Sequence, residues 1–149
     1  MPKAVRYHKQ GGPEVLQVDD VAVGDPGPGQ ARVRHVAIGV NFVDTYQRSG
    51  LYPMQLPSVA GNEAAGVVEA VGPNVTSVKA GDRVAWTGVF GSYGQFNAVP
   101  ANRLVSLPAG LTTKQAAAVM LQGITAHYLA TSTYPLAKGD TALVHAGAG

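Results

Sequence analysis

Between Lys3 and about Val105 the apolar positions fall in short pieces separated by turn residues, the pattern of an all-β barrel or sandwich and not of regular βαβ alternation. Val5 and Tyr7 alternate with charged neighbours, Gly11-Gly12-Pro13 turns, Val15 to Val18 extends, and Asp25-Pro26-Gly27-Pro28-Gly29 turns again. Ala31 to Val40 reads as a longer strand. Ala64 to Val71 and Arg83 to Trp86 flank turns at Gly72-Pro73-Asn74 and Ala80-Gly81-Asp82, and Tyr93 to Val99 with Arg103 to Val105 complete the set. The count favours a small β-barrel-like domain, with Trp86 and Phe96 in its core. One helix interrupts it. Asn41 suits an N-cap, Asp44 favours the positive end of the helix dipole, and Gly50 is placed to stop the helix in a left-handed turn, so the helix runs from Asn41 to Ser49.

After Pro108-Ala109-Gly110 the pattern changes. Thr112 and Gln115 form a capping box, Ala116 to Ala118 supply helix propensity, and Ala117, Leu121, Ile124 and Tyr128 continue one apolar face at helical spacing. Gly123 weakens the middle and is a candidate break into two helices; Pro135 and Gly139 end the segment. Thr141 to His145 is a short strand candidate running into the glycine-rich turn Ala146-Gly147-Ala148-Gly149. Residues 1–111 and 112–149 are accordingly expected to be separate units.

Composition narrows the chemistry. The chain of 149 residues contains no cysteine, which removes disulfides, thiolate catalysis and zinc sites that need sulfur. The 19 glycines and 10 prolines show no three-residue period and mark tight turns between short strands. Eleven basic and nine acidic side chains give a net charge of +2, too small and too dispersed for a nucleic-acid footprint. Arg32, Arg34 and His35 form a short basic cluster, whose two arginines share a solvated strand face. Mean hydropathy is +0.06, and no apolar run approaches the roughly 18 residues of a membrane span. The N-terminus has no apolar run of the kind that secretion signals carry, so a cytoplasmic protein is expected. His8, His35, His127 and His145 lie far apart with no pair at i, i+4 spacing, so nothing local suggests a metal site.

A strand running into glycines is how a dinucleotide-binding unit begins, because glycine lets the backbone approach a pyrophosphate. The surrounding motifs give that turn its context. Gly61-Asn62-Glu63-Ala64-Ala65-Gly66, Gly72-Pro73-Asn74-Val75, Lys79-Ala80-Gly81-Asp82-Arg83-Val84 and Gln122-Gly123-Ile124-Thr125-Ala126 precede Gly139-Asp140 and Leu143. In that order and spacing they closely resemble the medium-chain dehydrogenase/reductase superfamily and, within it, the zinc-free quinone oxidoreductase branch. The resemblance takes in His8-Lys9-Gln10-Gly11-Gly12-Pro13-Glu14-Val15-Leu16 and the stretch from Asn41-Phe42-Val43-Asp44 to Tyr52-Pro53, and it spans essentially the whole chain.

The resemblance implies a mainly β fold with helices: a GroES-like β-barrel catalytic domain over residues 1–111, then connecting helices and the first strand of a Rossmann α/β domain over 112–149. It implies reduction of a quinone by hydride from NADPH, with NADH left open. In the zinc-dependent alcohol dehydrogenases a cysteine and the histidine of a Gly-His-Glu motif hold the metal; the corresponding positions here read Asn41 and Asn62, neither a usual zinc ligand. No metal is therefore expected, and the substrate should accept hydride readily, as a quinone or an electron-poor alkene does.

By the same resemblance Asn41 and Thr125 lie beside the nicotinamide, Asn41 also serving as a helix cap. Tyr46 and Tyr52 face the substrate cleft, where a phenol can stack on a quinone ring; the alternative is that they fill space beside the helix. Gln122 and Tyr128 line the cofactor groove, and Gly147, Ala148 and Gly149 match the first part of a phosphate-binding turn. Glu63 aligns with the acid of the Gly-His-Glu motif and is expected to accept backbone N–H bonds at a tight turn, with a catalytic acid as the alternative. Asp44 and Arg48, four apart, are expected to form a surface ion pair worth about 0.3–0.5 kcal/mol. The pattern of the superfamily continues beyond residue 149. The chain therefore reads as a fragment that is inactive alone, exposes an apolar interdomain surface and belongs to a homodimer. A stand-alone GroES-like binding module and an enone or enal reductase are the competing readings.

Overall fold

The computed structural model describes residues 1–145. In chain order its elements are β1 (Lys3–Tyr7), β2 (Gln17–Asp20), β3 (Gln30–Gly39), α1 (Phe42–Ser49), β4 (Ser58–Val59), β5 (Glu63–Val71), β6 (Arg83–Thr87), β7 (Phe96–Pro100), β8 (Val105–Ser106) and α2 (Thr113–Tyr128). The strands form two antiparallel sheets, one ordered β2-β1-β4 and the other β7-β3-β5-β6-β8. The sheets are stitched together where Ala4 bridges Gly94, flanked by Val5 N–H donating to Tyr93 O (2.7 Å) and Gln95 N–H donating to Lys3 O (3.0 Å). That bridge spends the backbone of Tyr93 to Gln95, which is why β7 begins at Phe96 and not at Tyr93 as its apolar pattern suggests.

The core follows the period-two alternation of the strands. Ala31 and Val33 of β3, Ala64 and Val68 of β5, Val84 and Trp86 of β6 and Val99 of β7 form one cluster, with Trp86 fully buried; Phe96, expected beside it, is only partly buried. On the opposite face of the same sheet, Ala65 and Ala85 meet Ala116 and Ala117 of α2. Four alanines at that contact let the helix lie close against the strands, so β5 is covered on both faces. Arg32 donates to Glu69 across the β3–β5 pair (2.9 Å), whereas His35 turns inward against the Trp86 ring, its centroid 5.1 Å away.

Both helices start where the sequence places them. Gly50 ends α1 at φ 88°, and α2 begins with Thr112 as its cap, Gln115 N–H donating to Thr112 Oγ1 (3.2 Å) and Thr112 N–H to Gln115 Oε1 (3.0 Å). Two expectations need correction. Gly123 does not split α2: no neighbour crowds it, and the helix runs on to Tyr128 before a π-helical turn at Leu129–Thr133. The strand expected at Thr141 to His145 is not formed; Thr141 to Val144 are irregular and His145 lies in a turn. A lone strand has no ladder to join, and among the described residues nothing pairs with it. Gly147, Ala148 and Gly149 lie outside the described residues.

Candidate active site

The site is assembled where β5 begins, between the N-terminus of α1 and the middle of α2. Asn41 occupies the N-cap position of α1 with extended backbone, yet its side chain makes no capping bond. Asp44 covers the helix end instead, its carboxylate accepting the Asn41 backbone N–H at 3.0 Å. The freed Asn41 amide is buried and works on the other side: Nδ2 donates to Glu63 Oε2 (2.8 Å), and Oδ1 accepts from Gln122 Nε2 (3.0 Å). Glu63 is wholly buried at the first position of β5, and its second oxygen accepts the Leu121 backbone N–H of α2 at 2.8 Å. Gly39 permits this close approach, since a Cβ there would run into the Glu63 carboxylate and the Ala117 carbonyl.

A second group of contacts locks α1 to the turn before β5. Asn62 Nδ2 donates to both Asp44 Oδ1 (2.7 Å) and Gln47 Oε1 (2.9 Å), and Tyr93 Oη donates to Asp44 Oδ2 (2.8 Å). Burial, with the Asp44 carboxylate beside it, raises the Tyr93 phenol well above its ordinary range, so the phenol is held as a donor. Ser92 Oγ accepts the Glu63 N–H at 3.0 Å. The backbone turns sharply at Gly61 (φ 93°), where a Cβ would strike the Tyr93 ring and Ser92 Oγ. Asp44 is thus no partner of a surface ion pair: it points inward and is spent on Asn62, Tyr93 and the Asn41 backbone. Glu63 does accept a backbone N–H, but from the middle of a helix 58 residues away and not within a tight turn.

Tyr46 and Tyr52 are brought together. Their rings meet edge to face with centroids 5.6 Å apart, held by Tyr52 N–H donating to Tyr46 O (3.0 Å), and both are substantially exposed. Two phenols presented in this way can take an aromatic ring beside them. Thr125 lies one helical turn beyond Gln122, and both line a cavity of about 950 Å³ between α2 and the chain from Tyr134 to His145. Leu121, Leu129, Leu136 and Leu143 make its wall largely apolar. Tyr128, on the last turn of α2, is half exposed and does not line this cavity. Asn41 reaches the cavity wall through Gln122, while the tyrosine pair stands apart from it.

An apolar wall with a few polar groups, in a volume of this size, suits a small organic ligand. No lysine or arginine lines the cavity to meet phosphates, and the Gly147, Ala148 and Gly149 turn is outside the described residues. Among the described residues no three metal-ligating side chains gather, and the Asn41 and Asn62 amides are both engaged with carboxylates. No helix among them is long and apolar enough to cross a membrane.

Sequence reasoning missed the inward Asp44, its partners Asn62, Gln47 and Tyr93, and the Glu63 link to α2. A signal existed for the first. An acidic residue three positions after an N-cap asparagine can bond back to the cap, and Asp44 does so.

Comparisons with known proteins agree with this architecture. Over its whole length the chain is 52% identical to the quinone oxidoreductase of Pseudomonas aeruginosa, covering 46% of that protein, and 45% identical to a 2-haloacrylate reductase of a Burkholderia species, covering 47%. Its structure superposes on that of Escherichia coli quinone oxidoreductase complexed with NADPH with a TM-score of 0.86 at 46% identity, covering 89% of this chain and 41% of the other. The chain thus spans about half the length of the curated relatives it matches. The family described as the alcohol dehydrogenase GroES-like domain matches residues 27–109, more than half of the chain. With that span matched and the two-sheet fold around the Trp86 core in place, the chain belongs to the GroES-like domain family of the alcohol dehydrogenases.

Proposed function

We propose that this chain is the substrate-binding half of an NADPH-dependent quinone reductase that works without zinc. The observation that carries the reading is the whole-length likeness to quinone oxidoreductases, one of them solved with NADPH. When bound, reduced nicotinamide supplies the hydride. The chain's own residues bind and orient. Thr125 and Gln122 give polar contacts on the apolar cavity wall, with Asn41 behind them. The exposed Tyr46 and Tyr52 pair offers a ring platform and two phenols to a quinone. Tyr128, on the last turn of α2, and the glycine-rich residues Gly147, Ala148 and Gly149 are assigned to the cofactor by the resemblance to quinone oxidoreductases and not by the cavity. Asn41 and Asn62 stand where the zinc enzymes carry cysteine and histidine, and both amides are committed to hydrogen bonds, which supports zinc-independent chemistry.

Activity is assigned to the arrangement that pairs this domain with a Rossmann domain, starting at residue 112; residues 1–149 by themselves are expected to turn over no quinone. A cytoplasmic homodimer, with no nucleic-acid or membrane partner, goes with the same reading. A second reading follows from the 2-haloacrylate reductase relative: the acceptor is an electron-poor alkene. The test is NADPH consumption by the protein expressed from its own gene, offered a quinone or a 2-haloacrylate before and after chelator treatment. Turnover with the quinone that survives chelation is expected; a preference for the haloacrylate selects the second reading. Activity lost to the chelator and restored by zinc overturns the zinc-free claim.

A further inference from the structure

The Gln122, Asn41 and Glu63 side chains form a relay whose polarity is fixed at one end. The Leu121 backbone N–H can only donate, and it donates to Glu63 Oε1 at 2.8 Å. A carboxylate accepts at both oxygens, so Oε2 takes the Asn41 Nδ2 donor (2.8 Å); Asn41 then turns Oδ1 outward, and Gln122 must donate to it through Nε2 (3.0 Å). Gln122 Oε1 accepts no hydrogen bond from any described residue, and Gln122 lines the 950 Å³ cavity. Glu63 is wholly buried and has no cationic partner among the described residues, so it is held by these donors alone. A neutral side chain in its place would have to donate at one of its two polar atoms and could keep all the contacts only with both amides turned over.

We propose that Glu63 is a positioning residue whose negative charge sets the orientation of the Asn41 and Gln122 amides, so that the cavity wall at Gln122 presents a carbonyl acceptor to a ligand group that donates, such as a carboxamide N–H. The ligand chemistry rests on the function proposed above; the polarity of the relay does not. Substitution Glu63→Gln is isosteric and tests it. The new Gln side chain accepts from Leu121 and donates to Asn41 Oδ1; Asn41 Nδ2 then donates to Gln122 Oε1, and Gln122 Nε2 is released.

Side-chain amide hydrogen exchange, followed by NMR on the 15N-labelled chain, reads the switch. In the wild type one proton on Asn41 Nδ2 and one on Gln122 Nε2 exchange on the order of tenfold more slowly than those of a free amide. In Glu63→Gln the Gln122 protection disappears while that of Asn41 remains. Retained Gln122 protection in that variant, or its absence in the wild type, overturns the proposal. Should Glu63→Gln not fold, Gln122→Leu at the exposed position decides: Asn41 Nδ2 stays protected because it donates to Glu63, and its loss of protection means the relay runs the other way. In the protein expressed from its own gene, Glu63→Gln raises the KM for the dinucleotide severalfold with little change in kcat. A switched relay with unchanged KM contradicts the recognition role, whereas a wild type that turns over no acceptor contradicts the reductase reading and leaves the relay standing on exchange.

Discussion

The barrel and the chain beyond Gln122 satisfy their side chains in opposite ways. In the barrel, Asn41, Asp44, Gln47, Asn62 and Glu63 are all buried, and every one is tied to another part of the chain by hydrogen bonds, beneath a close-packed cluster around Trp86. From Gln122 to His145 only Thr125 and Ala130 are less than exposed, and Leu129, Leu136, Leu143 and Val144 stand largely uncovered. The grip of the barrel on α2 runs through Ala116, Ala117, the Leu121 N–H and the Gln122 side chain, and then it ends. One half of the helix is therefore structural and the other half is cavity wall. Uncovered apolar side chains of this number mark a surface meant for a ligand or another folded unit, and the polar network meets that surface at Leu121 and Gln122.

Substitutions that break the barrel side should cost far more than those on the projecting side. Trp86→Ala empties the largest fully buried position and is expected to destabilise the chain by about 3–5 kcal/mol in denaturant unfolding. Asp44→Ala strands Asn62, the Tyr93 phenol and the Asn41 N–H, and should cost about 2–3 kcal/mol by the same measurement. Thr112→Ala removes the N-cap of α2 and should cost about 1 kcal/mol. Leu143→Ser, at a position 81% exposed, should change stability by less than about 0.5 kcal/mol.

A pH series sharpens the contrast further. Burial against Trp86 holds the His35 pKa below its ordinary 6.5. Between that lowered value and 6.5 the unfolded chain binds the proton and the folded chain does not, so stability is full above 6.5 and falls as pH drops through the window. His35→Gln should flatten that slope in unfolding titrations.

Local signals were legible and distant ones were not. Asn41, Gly50, Thr112 and Gln115 mark helix ends through contacts within a few residues, so α1 and the start of α2 could be read from sequence. The strands from Ala31, Ala64 and Arg83 were equally plain, because alternation is local. Asp44 was misread because an acid four residues before an arginine looks like a surface pair; only Asn62 and Tyr93, 18 and 49 residues away, turn it inward. The role of Glu63 depends on Leu121, 58 residues on, and no periodicity announces that contact. The pattern at Thr141 to His145 was apolar enough for a strand, but a strand needs a neighbour, and local pattern carries no information about whether one is there.

The candidate site sits where the barrel grips α2, at Glu63 and Asn41, and the chain beyond Gln122 adds cavity wall without rigidity. Backbone amide hydrogen exchange over the whole chain tests it most directly. Strong protection is expected in β3, β5 and β6 and in α2 up to Leu121, including the Leu121 amide itself, then a steep fall through Leu129 to His145. Protection from Leu129 to His145 equal to that of β5, or a Leu121 amide that exchanges as fast as the exposed end of the helix, would contradict it.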